Sequence, residues 1–284
     1  MIKHAIILIT FALLCGCDKP DRPAPSGQPP ERIISLAPNI TDTLLDLGLE
    51  TRIVGISRFS SGQEKSDLPV VGDFMNINYE AVISLQPDLV VLEKSSDDQK
   101  ARLENLGIPY LETGSLTIGE ILDSIRQIGV VCEVEEQAAE LTAQLEQQID
   151  AARHTPSYRP RTLITFGEFS NSSKVEQVYA FGADCLHSEM LAIAGGDNVV
   201  SNTNPSVTLS REAIMRLNPE LIIELTIGGP SNQWDNLSAV DAVQNDQIHV
   251  LDAPYTCIPS PGCFIKTLGD FSRIIRQNTL EAKE

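Results

Sequence analysis

Cys132-Glu-Val-Glu-Glu-Gln-Ala-Ala-Glu-Leu-Thr-Ala-Gln-Leu-Glu-Gln-Gln-Ile-Asp-Ala-Ala-Arg153 is the stretch on which the reading of this chain turns. It contains no Gly or Pro, and the strong helix formers Ala, Leu, Glu and Gln fill most of it. Val134, Ala138, Leu141, Leu145, Ile149 and Ala152 recur at steps of three or four and draw one apolar stripe. A helix of this length spans about 30 Å, the diameter of a small domain. Alternating strand and helix patterns flank it on both sides, so it reads as a rod joining two α/β lobes. The same periodicity also fits a crossover helix within one large sheet.

Before the rod, Arg32-Ile-Ile-Ser-Leu-Ala37, Arg52-Ile-Val-Gly-Ile-Ser57, Leu89-Val-Val-Leu92 and Ile108-Pro-Tyr-Leu111 are short buried-type strands separated by helical patterns. After it, Thr162-Leu-Ile-Thr-Phe166, Leu221-Ile-Ile-Glu-Leu225 and Ile248-His-Val-Leu251 repeat the theme, with a closing helix over Lys266 to Gln277. Such alternation predicts parallel sheets. One motif occurs twice. Tyr79-Glu-Ala-Val-Ile-Ser-Leu-Gln-Pro-Asp-Leu-Val-Val91 is echoed by Ser210-Arg-Glu-Ala-Ile-Met-Arg-Leu-Asn-Pro-Glu-Leu-Ile-Ile223, as two lobes built alike would do.

The chain ends of the pattern say where the protein goes. Met1-Ile-Lys-His4 is a cationic start and Ala5 to Leu14 an apolar core too short to span a bilayer, which together read as a secretory signal. Leu14-Cys-Gly-Cys17 resembles a bacterial lipoprotein box with Cys17 lipidated, although Cys15 departs from the usual small or β-branched residue. Acyl chains on Cys17 would anchor the protein at a membrane; a plain secreted protein cut nearby is the alternative. In enteric bacteria Asp18 resembles a signal for retention at the inner membrane. Lys19 to Pro30 is Pro-rich and reads as an extended tether. The expected division is therefore a signal peptide over 1–16, a tether over 17–30, a first lobe over 31–131, the linking helix over 132–155 and a second lobe over 156–284.

Bulk properties narrow the function. A net charge of −18 excludes a nucleic-acid backbone as partner, since phosphates need clustered Lys and Arg. Export permits disulfides. Cys257 and Cys263 close a short loop containing Pro259, Pro261 and Gly262 and are the favoured pair, while Cys132 and Cys185 have no assigned partner. The cysteine spacing fits no zinc site, and neither metal nor cofactor is expected as a resident group. No GxSxG, HExxH, Walker loop or GxGxxG is present, so no enzyme is expected. Glu93 with Glu168 as a glycosidase pair, and Cys185 with His187 as a nucleophile and base, are the catalytic readings weighed against this. A structural envelope lipoprotein would not need the duplicated motif.

Taken together, Arg32-Ile-Ile-Ser-Leu-Ala-Pro-Asn-Ile-Thr41, Arg52 to Ser57, Gly72-Asp73, Asn78-Tyr-Glu80 with Pro87-Asp-Leu-Val90, Leu106-Gly-Ile-Pro109, Gly195-Gly-Asp-Asn198 and Ser210-Arg-Glu212 resemble the periplasmic solute-binding proteins of ABC importers for vitamin B12 and ferric siderophores. The resemblance runs over nearly the whole mature chain. It implies the class III fold, two α/β lobes joined by one long helix, and an unwide closure on ligand because the helix holds the lobes nearly fixed. It implies a monomer that delivers a small-molecule metal chelate, cobalamin-like or an iron siderophore, to an ABC permease dimer with its ATPase subunits. Haem, a metal ion or an oxyanion is the alternative solute. Localisation would be the periplasm or outer face of the envelope, with the membrane held through Cys17.

By position in the echoed motifs, Glu80 and Glu212 are the glutamates that such proteins present to permease arginines; the bland alternative is two solvated helix-start carboxylates. The solute is expected between the lobes, at loops leaving the carboxyl ends of strands. The first lobe offers Phe59, Ser60, Phe74, Met75, Glu93 and Lys94. The second offers Phe166, Glu168, His187, Trp234 and Tyr255, whose aromatic rings suit a corrin or catecholate. Trp234 fits partial burial as well as binding, and His187 fits a surface hydrogen bond as well as a metal centre. An Arg cluster of the kind anionic siderophores need is missing, which favours a cobamide-like or neutral chelate.

Overall fold

The computed structural model describes residues 28–60, 67–73, 76–94, 97–167, 177–226, 233–252 and 260–281. The first sheet is all parallel. Its strands are β1 (Ile33–Ser35), β2 (Ile53–Ile56), β3 (Leu89–Glu93) and β4 (Tyr110–Thr113), in the spatial order β2-β1-β3-β4. β3 is buried along its whole length, which explains its unbroken apolar run. Helices α1 (Pro38–Asp46) and α4 (Ile118–Cys132) cover one face through Ile40, Leu44, Ile121 and Ile125. On the other face lie α2 (Tyr79–Ser84) and α3 (Asp97–Asn105), which contribute Val82 and Leu103.

The second sheet departs from the expectation. Its strands are β5 (Arg161–Gly167), β6 (Gln177–Phe181), β7 (Asp197–Asn198), β8 (Ser206–Ser210), β9 (Leu221–Thr226) and β10 (Ile248–Asp252), with the main path β10-β9-β5-β6-β8. β10, β9 and β5 run parallel, but β6 is antiparallel to both β5 and β8, so the sheet is mixed. A purely parallel second lobe is thereby corrected. β6 and β8 form an antiparallel edge, with α6 and β7 between them in the chain, and one face of β6 is left partly open. Helix α6 (Leu186–Ala194) packs on one side of this sheet; α7 (Arg211–Leu217) and α8 (Asp241–Gln244) lie on the other.

The helix at the centre of the sequence is α5 (Glu135–Ala152). It starts two residues later than the stripe suggested, because Glu133 adopts a left-handed conformation (φ 55°) that ends α4 and turns the chain back. α4 and α5 then pack closely: a Cβ on Gly129 would lie 2.5 Å from Ala138 Cβ. Helix α9 (Pro261–Glu281) returns from the second lobe across α6 and α5 to touch α1. Ser272 Oγ donates to the last carbonyl of α5, Ala152 O, at 2.9 Å.

One apolar cluster runs through all of this. It joins Ile33 and Leu47 of the first lobe, Ile125 and Ile128 of α4, Leu145 and Ile149 of α5, Phe264 and Phe271 of α9, and Met190 and Ile223 of the second lobe. The lobes are thus joined by a common core, with α5 as one of its walls. Packed interiors of this kind resist bending, since small shifts forfeit dispersion contacts on both sides. Among the described residues no helix is long and apolar enough to cross a membrane.

Candidate solute-binding cleft

The carboxyl ends of the two sheets face each other across a cavity of about 350 Å3 lined from both lobes, a volume at the lower end of ligand pockets. On the first-lobe side, β3 ends at Glu93 and Lys94, and β4 runs into Gly114-Ser115-Leu116. That loop is pinned. Gly114 donates its N–H to Ser124 Oγ at 2.8 Å, and Ser124 donates back to Gly114 O at 3.0 Å. A side chain at Gly114 would collide with the Glu120 carboxyl group at 2.8 Å, which explains the glycine. Thr117 caps α4 by accepting from Glu120 N at 3.1 Å, and Glu120 Oε2 accepts from Leu116 N at 3.0 Å.

Glu93 is the buried polar centre of this wall. Its Oε1 accepts from Asn39 Nδ2 at 2.8 Å and from Ser115 Oγ at 2.7 Å. Burial pushes its pKa up and the nearby Glu120 carboxylate adds to the rise, against the lowering effect of the Ser115 and Asn39 hydrogen bonds. Lys94 reaches into the same space, its Nζ 3.2 Å from Glu120 Oε1.

The second-lobe wall is aromatic. Phe166 at the end of β5 and Phe181 at the end of β6 lie with ring centroids 4.3 Å apart, and His187 stacks on Phe181 at 3.7 Å and 16°. His187 is in the first turn of α6 and buried, rather than in a loop as its sequence setting suggested. Tyr179 adds a further ring 5.9 Å from Phe166 and is half exposed. Below the cavity Glu189 of α6 accepts from Ile118 N, at the start of α4, with its Oε2 at 2.7 Å. A second-lobe carboxylate thereby caps a first-lobe helix, where the helix dipole favours negative charge.

Of the residues expected here, Glu93, Lys94, Phe166 and His187 meet at the cavity. Ser60 lies deeper: it is buried in a hydroxyl chain, accepting from Thr41 Oγ1 at 2.9 Å and lying 3.0 Å from Ser57 Oγ. Phe59 is 70% exposed with φ 67°, at the end of β2 and outside the cavity lining. Trp234 is a correction. It sits in the apolar core on the far side of the second sheet, where its Nε1 donates to the buried Glu224 Oε2 at 2.7 Å. A single large indole with a buried acceptor in reach gains more from full burial than from a rim position. Phe74, Met75, Glu168 and Tyr255 lie outside the described residues, as do Cys17 and Cys257. Cys263 lies in the first turn of α9, and because Cys257 lies outside the described residues the bridge between them stays a proposal; Cys132 and Cys185 are buried thiols. The sequence reading missed Ser115, Glu120 and Phe181. Phe181 alone had a signal, the alternation of Gln177-Val-Tyr-Ala-Phe181.

Glu80 and Glu212 are both exposed, each two residues after a capping side chain. Asn78 Oδ1 accepts from Ala81 N at 3.1 Å and Ser210 Oγ from Ala213 N at 3.3 Å. α2 leads directly into β3 and α7 into β9, so the amino end of each helix lies toward the carboxyl edge of its sheet, the side of the cleft. Glu212 has its pKa held down by its own backbone N–H and by Ser210.

Compared with known proteins, residues 33–255 match the model of the family described as periplasmic binding protein. The chain belongs to that family. This binding protein is 28% identical over 219 residues to a vitamin B12-binding protein of Yersinia pestis (strain Pestoides F), 75% of each chain being covered. Its fold is similar to the periplasmic vitamin B12 binding protein BtuF of Vibrio cholerae, with a TM-score of 0.71, 25% identity, and 87% and 98% of the two chains covered. The periplasmic haem binding protein HutB of Vibrio cholerae shares the fold at a TM-score of 0.73 and 21% identity, over 86% and 98% of the chains. Membership places the protein among binding proteins and not enzymes, with the two-lobe α/β fold of that class. No cluster of His, Cys, Asp or Glu suited to hold a metal ion occurs among the described residues.

Proposed function

We propose that this protein is the solute-binding component of an ABC importer. It takes up a cobalamin-like, siderophore-bound or haem-type metal chelate between its lobes and hands it to a permease dimer served by ATPase subunits. The observation that carries this reading is the pairing, in a periplasmic binding protein, of a polar first-lobe wall with a stacked aromatic second-lobe wall across one cavity. Flat, partly apolar chelates suit such a pair of walls, because rings supply area and polar groups fix orientation. Glu80 and Glu212 would dock the two halves of the permease, each carboxylate meeting a basic group and together setting the orientation. Cys17 would carry the lipid that keeps the protein at the membrane, with 17–30 as its tether.

Calorimetric titration of residues 18–284, which retain every described element, tests the solute class with cyanocobalamin, haemin and an iron(III) siderophore. Saturable binding of one chelate supports the reading; a folded protein that binds none of them removes it. The anchor is tested separately by labelling cells with radioactive palmitate. Label should enter the wild-type protein and be lost in Cys17→Ala.

A further inference from the structure

The cavity's two walls differ in what they ask of a solute, and Glu93 is where the difference is sharpest. It is 8% exposed, yet it lines the cavity. Both of its donors, Asn39 from α1 and Ser115 from the loop after β4, converge on Oε1. No donor to Oε2 is found among the described residues, and this oxygen is not one of the fully buried polar atoms left without a partner, so it opens on the cavity that Glu93 lines. A solute that displaces water from this oxygen must bring an N–H or O–H in its place, because an acceptor desolvated without a donor is strongly unfavourable.

The other charged groups around the cavity do not offset this acceptor. Lys94 is the only cation lining it among the described residues, and Glu120 of α4 already lies 3.2 Å from its ammonium. His187 faces in from α6, stacked on Phe181. An anionic solute would therefore meet a buried carboxylate and a cation that already has a counter-charge. A polar interaction of the wrong sign in a low-dielectric site is a strong means of rejection.

We propose that Glu93 is a specificity-determining residue: its Oε2 reads N–H or O–H donors on the rim of an uncharged or cationic metal chelate, and the cleft rejects polyanionic chelates. This rests on the importer reading above and narrows its solute class. Protonation of Glu93 would turn the same atom into a donor and relax the preference, and burial, which raises its pKa, favours that protonation relative to an exposed carboxyl group.

The test is calorimetry on residues 18–284, wild type and Glu93→Gln, with two kinds of probe. Cyanocobalamin and dicyanocobinamide carry a rim of uncharged amides; an iron(III) tris-catecholate and haemin carry negative charge. The wild type should bind an amide-rimmed probe at least about tenfold tighter than either anionic one, the ratio expected from one mismatched buried polar contact. Glu93→Gln, which presents an amide N–H to the cavity, should weaken the first class and strengthen the second. A merely structural role would move both classes in the same direction, and that result overturns the proposal. So does a wild-type preference for an anionic probe, which leaves the importer reading intact. Absence of binding by all four probes to a folded protein overturns both. The wild-type comparison decides the matter even if the variant fails to fold.

Discussion

The two lobes follow one plan and differ at the edges they turn toward each other. Each has a central strand, β3 or β9, preceded by a short capped helix that carries an exposed glutamate. Each sheet has one face in the common core and the other on a private one. At the cleft the likeness stops. The first sheet is parallel throughout and ends in Glu93, Lys94 and the pinned 114–117 loop; the second turns antiparallel at β6 and presents Phe166 and Phe181. The antiparallel edge matters because it sets Phe181, at the end of β6, beside Phe166 on β5, with ring centroids 4.3 Å apart. Orientation is thus assigned to one wall and contact area to the other.

The largest effect that would break this comparison concerns whether the lobes are separate bodies at all. Phe271→Ala in α9 opens a void in the common core and should cost about 3–5 kcal/mol. Chemical denaturation followed by circular dichroism should show a single transition moving as a whole. Two resolved transitions, one of them unmoved, would mean that the lobes stand independently.

Next in size is the α4–α5 turn. Gly129→Ala places a methyl group 2.5 Å from Ala138 Cβ, an overpacking that costs about 1–3 kcal/mol and exceeds the helix-propensity gain of about 1 kcal/mol. A lower melting temperature is expected. An unchanged one would show that the hairpin has slack.

Phe166→Ala tests the division between the walls. It should weaken solute binding by about tenfold, consistent with an aromatic contact of about 0.5–1.5 kcal/mol, with no change in how affinity varies with pH. A change in pH dependence would place polar recognition on the second wall too.

A smaller effect concerns stability. Because burial raises the pKa of Glu93, the folded chain holds that proton more tightly than the unfolded one. The ionised carboxylate therefore opposes folding above its folded pKa, and that opposition fades as pH falls through it. Glu93→Gln should melt higher than wild type at about pH 7.5, with the gap closing toward about pH 4. A gap that widens in acid would reverse the sign. The smallest effect should be on solute affinity in Glu80→Arg and Glu212→Arg, which are exposed and not part of the cavity lining. Binding should be unchanged, while stimulation of the permease ATPase in proteoliposomes should fall in each.

Much of this was legible in the residues, for physical reasons that can be named. β3 and β9 are buried on both faces, so Leu89 to Leu92 and Leu221 to Ile223 are apolar runs, and the one charge within β9, Glu224, is held by Trp234. The echoed motif was legible because both copies repeat a short helix with an Ala after its glutamate, a Pro–acid turn and the start of an apolar strand at the same spacing. What escaped was non-local. Ser60 looks like a loop hydroxyl until Thr41, nineteen residues away, closes on it. Trp234 looks like a rim aromatic until Glu224 appears beneath it. β6 and β8 were overlooked because a half-exposed antiparallel edge mixes polar and apolar residues, and β8 follows an irregular stretch. Glu120 was hidden by its ordinary place in a helix's first turn.

The path of α9 sets the order in which the protein can come into being. Its apolar face completes the core against α1, α5 and α6, yet it lies at 261–281, after every other described element of the two lobes. A chain emerging amino end first can assemble the first sheet with α1 to α4 on its faces, but the shared core still lacks Phe264, Leu268 and Phe271. Until the final turns arrive, both lobes keep apolar surface open to water. The molecule therefore commits to its native form late and all at once. Removing α9 would open the core that the two lobes share to water from both sides.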